Sequence, residues 1–331
     1  MEINDIYKKI QSIVNDIPLL LVGTGASIPF GIPGMSGLAE YLLDSLSSKY
    51  VDDPSWVIIS ARLEKGVDLE SAMTNVTPQP SSDLVNDIVI KTWGLINKED
   101  LLCGQKTFRT PQTSFSKLIK YLYDSSKSLV NIITTNYDRL IEYSCDKAKI
   151  PVADGFYGYC FKRFSVDNFA TKYAVNLVKV HGSLDYFKYS SGDSCSIPLQ
   201  QTIPNDYIPD IIPPGSDKYR DVLRGVHRDL LQKADSYINS ASSFLCIGYG
   251  FNDEQIQEKL LSGLRDGKPI LVVTKKITDQ ALGLISGNST NYVVVTEDIE
   301  NRTVFNINGI LTVVDGNYWT VDGLMNIITG E

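Results

Sequence analysis

Leu19-Leu-Leu-Val-Gly-Thr-Gly-Ala-Ser27, running on into Ile28-Pro-Phe-Gly-Ile-Pro-Gly34, decides how this 331-residue chain is read. Four consecutive apolar residues that break at Gly-x-Gly describe a buried strand entering a loop, where missing side chains let the backbone approach a ligand closely. A phosphate suits such a loop, because backbone N–H groups and a following helix N-terminus present positive partial charge to it. Leu38, Leu42 and Leu43 then carry a helical pattern, and Ser36 is a good N-cap, so a helix is expected to begin near Ser36. Strand, glycine loop and helix make the first half of a nucleotide-binding unit. Taken alone, the same stretch also describes a tight strand-to-helix turn in an unrelated α/β protein.

Composition narrows the choices. The length permits either one large α/β domain with an inserted subdomain or two domains. Lys and Arg total 31 against 39 Asp and Glu, a net charge of -8, so unspecific nucleic-acid binding, which needs clustered cations, is not expected. The five cysteines, Cys103, Cys145, Cys160, Cys195 and Cys246, are odd in number and scattered without a C-x-x-C pair. That pattern argues against a disulfide framework and against structural zinc, and the only histidines, His181 and His227, restrict metal chemistry further. Met1 to Asp16 mixes charges with apolar residues at helical spacing, unlike a signal peptide, and no run of about 18 apolar residues offers a membrane span. The expected setting is a reduced cytoplasm.

Along the chain, Ile3, Ile6, Ile10, Ile13 and Val14 predict an amphipathic helix before the first strand. Residues 52–125 hold helical stretches at Ser55–Leu63, Leu69–Met73, Ser82–Ile96 and Gln112–Tyr123, with no strand between them, and read as an α-helical insertion. Glu70 reads as the start of one of its helices. Further strands are expected at Leu129–Thr134, Val175–Val180, Ser243–Gly248, Pro269–Thr274 and Tyr292–Val295. Residues 151–174 read as loop with short elements and Ser190–Gly215 as a long loop. Tyr219–Ser240 reads as an amphipathic helix that makes His227 an ordinary helix residue. Asn252 or Asp253 is placed to cap another helix. Thr303–Val314 looks like a hairpin turning at Asn306-Ile-Asn-Gly309, and a last helix starts near Val321. The fold class is therefore α/β and Rossmann-like: a mainly parallel six-stranded sheet built from residues 1–51 and 126–331, helices on both faces, and the 52–125 insertion.

Four strands end in polar or glycine clusters: Gly23-Thr-Gly-Ala-Ser27, Thr134-Thr-Asn-Tyr-Asp138, His181-Gly-Ser183 and Gly248-Tyr-Gly-Phe-Asn-Asp253. In an open parallel sheet, ligands bind beyond the carboxyl ends of the strands, so the clusters should converge. Asn136 alone reads equally as a helix cap, and His181 alone as a half-buried strand-end histidine.

Together these motifs resemble the sirtuin-like NAD-binding proteins, and within them the bacterial branch found in antiphage defence. Gly23-Thr-Gly-Ala-Ser27 is similar to the sirtuin Gly-Ala-Gly-x-Ser, and Gly31-Ile32-Pro33 to its Gly-Ile-Pro. Thr135-Asn136-Tyr137-Asp138 is similar to Thr-Gln-Asn-x-Asp, and Gly248–Asp253 to the Gly-Tyr-Ser-Phe-Asn-Asp of that branch, over residues 17 to about 298. Two departures count against protein deacylation. Gly34-Met35-Ser36 stands where the deacylases carry Asp-Phe-Arg, and both zinc-holding C-x-x-C pairs are missing.

The resemblance implies NAD as substrate, no zinc, and a set of site residues. Gly23, Thr24, Gly25, Ala26 and Ser27 would hold the pyrophosphate, with Pro33 alongside. Asp138 would read the nicotinamide carboxamide, Asn136 would contact the nicotinamide ribose or order a water, and His181 would act as base. Gly248, Phe251, Asn252 and Thr274 would line the adenosine side. The implied activity is NAD glycohydrolysis to nicotinamide and ADP-ribose, depleting NAD in infected cells. A non-catalytic NAD or nucleotide sensor is the alternative, followed by deacylase or ADP-ribosyltransferase chemistry. Control would come from homo-oligomer assembly or a partner such as a HerA-type ATPase.

Overall fold

The computed structural model describes residues 2–126, 129–189, 192–215 and 225–330. Helix α1 (Ile3–Asn15) buries Ile6, Ile10, Ile13 and Val14, and β1 (Leu19–Val22) follows with all four residues buried. Two short 3-10 turns at Thr24–Ala26 and Ile28–Phe30 lead to α2 (Met35–Leu46), whose N-cap is Gly34. Ser36 therefore lies inside the helix rather than capping it. The next stretch is helical: α3 (Pro54–Glu64), α4 (Leu69–Met73), α5 (Ser82–Arg109) and α6 (Ser114–Ser125). Helix α5 runs 13 residues past Ile96, where sequence periodicity had placed its end.

After β2 (Leu129–Thr134) and α7 (Leu140–Ala148) come β3 (Val152–Ala153), β4 (Phe156–Tyr157), β5 (Lys162–Phe164) and β6 (Ala174–Lys179). Then follow β7 (Gly182–Tyr189), β8 (Ser194–Ser196), β9 (Tyr207–Ile211) and α8 (Val226–Ser240). Residues 219–224 of the expected Tyr219–Ser240 helix, with Val222 and Leu223, lie outside the described residues, as do 190 and 191 of the expected loop. The chain continues through β10 (Phe244–Ile247), α9 (Glu254–Arg265), β11 (Ile270–Val273), α10 (Asp279–Asn288), β12 (Tyr292–Glu297), β13 (Arg302–Ile307), β14 (Ile310–Asp315) and α11 (Val321–Thr329).

The main sheet has nine strands, not six, in the order β14-β13-β12-β11-β10-β1-β2-β6-β3. Its six long parallel strands, β6-β2-β1-β10-β11-β12, follow the doubly wound order 3-2-1-4-5-6, with the switch between β1 and β10. The three extra strands are edge additions: β3 pairs parallel with β6, and the β13–β14 hairpin turns at Asn308-Gly309, both at positive φ, and pairs antiparallel with β12. Alternation along the strands feeds two apolar layers. Leu20 and Val22 face α1, α5, α6, α7 and α11, while Leu19 and Leu21 face α8, α9 and α10. Helices α2, α3, α4 and the start of α5 pack around their own cluster, including Leu42, Trp56 and Leu84.

A second, five-stranded antiparallel sheet, β4-β5-β8-β7-β9, takes four strands from the stretches read as loops, 151–174 and 190–215, and β7 from between them. The cluster His181-Gly182-Ser183 is consequently a passage between sheets. Gly182 takes φ +87, and a Cβ there would stand 2.2 Å from the Asp210 carbonyl oxygen; the chain passes from β6 into β7 through the two-residue turn Val180-His181.

Candidate functional site

The four strand-end clusters meet at the switch point. Gly23 and Gly25 pack against the Gly248 backbone, with Gly25 N–H donating to the Gly248 carbonyl at 3.1 Å. A Cβ on Gly23 would come within 2.5 Å of that carbonyl oxygen. The glycines thus let two strand ends interlock, which is a nearer reason for them than ligand approach.

Beneath this interlock lies a buried polar network. Thr134 Oγ1 donates to the Val22 carbonyl at 2.8 Å and accepts from Asn136 N–H at 3.0 Å, tying the end of β2 to the end of β1. Asn136 Nδ2 donates to the Gly23 carbonyl at 3.0 Å and to Ser27 Oγ at 3.1 Å. Ser27 Oγ in turn donates to Asp138 Oδ2 at 2.8 Å, and Asp138 Oδ1 accepts from Leu140 N–H at the start of α7. Asn136 Oδ1 is buried without a hydrogen-bond partner among the described residues. Burial pushes the Asp138 carboxyl up, opposed by the Lys179 charge. Lys179, itself buried, donates to the Asp138 carbonyl and to Glu142 Oε1, and burial raises the Glu142 carboxyl to about 7 against that pull.

Arg139 fixes the same corner from the other side. Its guanidinium is 2% exposed and is held by Asp100, Asn97 and Asp185, while its backbone N–H donates to Asp100 Oδ1. Two carboxylates, from Asp100 and Asp138, thereby satisfy the first N–H groups of α7, donors that a helix start otherwise leaves unpaired.

Above the network is a cleft lined by Gly23, Thr24, Thr135, Tyr137, His181, Asn252 and Asp253, with Met35, Glu70 and Pro213–Gly215 across from them. The inner cleft has a volume of about 90 Å³ and continues, through Glu70, Gly215 and Asn252, into a wider cleft of about 760 Å³ reaching Phe251, Gln257 and Thr278. Pockets for small ligands run to roughly 300–1,000 Å³, a range that the outer cleft falls within and the inner one alone does not reach. His181 Nε2 lies 2.7 Å from Asp253 Oδ2, with the two side chains 21% and 7% exposed. Asp253 also caps α9, its Oδ1 accepting from Gln255 and Ile256 N–H, both at 3.0 Å. Burial works against the Asp253 charge, yet the His181 hydrogen bond and charge outweigh it and hold the carboxyl below the ordinary carboxylate range.

Placed residue by residue, His181, Gly23, Thr24 and Asn252 border the inner cleft, and Phe251, at φ +59 and edge-to-face with Tyr249, borders the outer one. Asn136, Asp138, Ala26 and Ser27 are buried beneath the floor, and Gly25 and Gly248 form the interlock. Pro33 and Thr274 border neither cleft; Met35 lines the inner one, and Thr274 Oγ1 donates to the Lys276 carbonyl. Sequence reasoning missed Glu70 as a cleft residue, Asp253 as the partner of His181, and Arg139 and Lys179 as buried supports. An Arg directly after Asp138 and a Lys two before His181 were the available signals, and neither has a spacing rule behind it.

The five cysteines are free thiols. Among the described residues no group of three or more His, Cys, Asp or Glu is arranged to hold a metal, and no helix is long and apolar enough to cross a membrane.

Among solved structures, the chain is similar to several of sirtuins. A Sir2 homologue in complex with NAD is 14% identical, with 89% of this chain and 88% of that one covered and a TM-score of 0.46. A Sir2 homologue with ADP-ribose is 14% identical over 88% and 90%, at 0.47, and a sirtuin studied for substrate affinity is 13% identical over 88% and 93%, at 0.45. No curated protein matches the chain. Residues 130–282, which run from β2 into α10 and contain Asn136, Asp138, His181 and Gly248–Asp253, match the SIR2-like domain family, and the chain therefore carries a SIR2-like domain.

Proposed function

We propose that this protein is an NAD+ glycohydrolase, converting NAD+ and water to nicotinamide, ADP-ribose and a proton. The observation that carries the reading is the His181–Asp253 pair standing on one cleft with the Ser27–Asn136–Asp138 network under its floor. The nicotinamide–ribose C–N bond already has a good leaving group, so the protein must position, exclude bulk water and remove one proton. His181 takes that proton. Asn136 offers an unpaired buried acceptor to a ribose hydroxyl or the attacking water, and Asp138 takes the carboxamide. The pyrophosphate lies along Gly23 and Thr24 and the adenosine end against Phe251 and Asn252, while Gly25, Ala26, Ser27, Pro33, Gly248 and Thr274, which border neither cleft, support these residues from behind.

In this reading the helices of residues 52–125 are an insertion whose α4 walls the cleft through Glu70. The activity depletes NAD in the cytoplasm during antiphage defence, under control of self-assembly or a HerA-type ATPase, without direct nucleic-acid or membrane contact.

The test is to incubate purified protein with NAD+, alone and with candidate partners, and to measure free nicotinamide by chromatography. His181→Ala should lower the rate by roughly 10²–10⁴-fold, the usual range for a general base, with NAD+ binding retained. Asn136→Ala should do likewise, and melting curves separate lost chemistry from unfolding. Binding of NAD+ with no nicotinamide released under any condition makes the protein a binding subunit, and no binding at all refutes the reading.

A further inference from the structure

His181 has a structural partner that nothing in its motif requires. We propose that Asp253 is the positioning residue of the site, holding His181 in one orientation and one tautomer at the edge of the cleft. The inference rests on the reading of His181 as the base.

The carboxylate is unusually well suited to this. Oδ1 is fixed by two backbone donors at the start of α9, so the carboxyl plane cannot turn without uncapping the helix. Oδ2 is then presented to His181 Nε2 at 2.7 Å. On the other side, the His181 carbonyl accepts from Ile212 N–H at 2.9 Å, so the backbone from which the imidazole projects is also held. A side chain 7% exposed and kept ionised accepts a hydrogen bond and cannot donate one. In the neutral imidazole, the form that acts as base, Nε2 must therefore carry the hydrogen and Nδ1 the lone pair. When the base acts, an O–H bond of water or of a ribose hydroxyl breaks and an Nδ1–H bond forms. The resulting imidazolium keeps its Nε2–H on Asp253, whose negative charge offsets the new positive one. The same residue couples two strand ends, since His181 follows β6 and Asp253 follows β10. The base is thereby registered against the β1/β10 switch point.

Asp253→Asn is the informative variant, because Asn caps a helix as well as Asp and keeps Oδ1 in place. An Asn amide presents either the wrong group or a weaker acceptor to Nε2. In serine hydrolases an Asp-to-Asn change behind the catalytic histidine lowers kcat by about 10⁴ through the wrong tautomer, and a loss of roughly 10²–10⁴-fold is expected here, with KM within a few-fold. The decisive readout is independent of turnover. The chain has only two histidines, so a ¹⁵N imidazole spectrum of the intact protein shows two rings, and His181→Gln identifies which is His181. The wild type should show the Nε2–H tautomer at His181, and Asp253→Asn should lose it while His227 is unchanged. Asp253→Ser, a good cap too short to reach the ring, should behave the same and covers the case in which the Asn variant does not fold. An unchanged His181 tautomer in a folded variant overturns the proposal, as does a rate within a few-fold of wild type. If the wild type releases no nicotinamide, hydrolysis fails as a reading, and the spectra still decide whether Asp253 orients the ring.

Discussion

Gly248→Ala should be among the most damaging single-methyl changes in the chain, and a matched control isolates the reason. Gly248 sits at φ +57, and a Cβ there would stand 2.2 Å from Ala26 N and 2.5 Å from the Gly25 carbonyl carbon, both backbone atoms that cannot swing away. Gly31 lies in the same left-handed region at φ +89, yet no described atom comes within 4 Å of its Cβ position. Placing an L-residue at such φ costs roughly 1–2 kcal/mol in either case. Forcing an extra methyl into packed backbone adds about 1–3 kcal/mol. Gly31→Ala should therefore lose about 1–2 kcal/mol and Gly248→Ala about 2–5 kcal/mol, a large part of the roughly 5–15 kcal/mol by which a domain is stable. Urea unfolding read from midpoints at a common slope measures both. Equal losses in the two variants would refute the interlock of the β1 and β10 ends, and the glycines would return to being ligand contacts.

Arg139→Met should cost about 3–5 kcal/mol in chemical denaturation, because it leaves Asp100 buried without its cation; a loss under about 1 kcal/mol would show that the network does not hold α7. Asp210 should govern stability in acid. Burial alone would raise its carboxyl, but His227 at 2.8 Å and Lys188 at 2.6 Å hold it far below its ordinary value of 3.8. A depressed carboxyl contributes stability that is present above its unfolded value and is lost as pH falls below it. Asp210→Asn should thus be clearly less stable than wild type at pH 7, with the gap closing below about pH 4. A gap that does not depend on pH would contradict the charge argument.

How much of this was legible follows from where each fold-determining force is written. The strands β1, β10 and β11 are four apolar residues each, bounded by glycine, proline or polar residues, and both faces are covered by helices, so composition alone marks them. The second sheet was illegible for the opposite reason. Strands β4, β5 and β8 are two or three residues long, below the length at which alternation can be recognised. Strand β9 contains Pro209, which counts against a strand; it is tolerated because β9 is the edge of that sheet and its pairing with β7 is irregular there. Helix α5 outran its expected end because Cys103 and Thr107 continue the buried face after the strongest apolar residues stop.

The two histidines show why a motif finds a site and a partner list explains it. Each lies 2.7–2.8 Å from an aspartate, so pairing alone does not separate them. His227 is 1% exposed, its aspartate is equally buried and is shared with Lys188 and Ser194, and the group joins β7, β8, β9 and α8. A ring buried in this way has its hydrogen bond to Asp210 committed to joining these elements. His181 is 21% exposed on a cleft, and its aspartate is held by the N-terminus of a helix, with no second cation on it among the described residues. A carboxylate so placed has its charge balance completed by the imidazole, which is the condition for a histidine to gain a proton during a reaction at small cost. Strand-end position pointed to His181 in the sequence, but the difference in what surrounds the two aspartates exists only once residues 181 and 253, or 210 and 227, have been brought together. The catalytic assignment therefore depends on the aspartate's neighbours as much as on the histidine's motif.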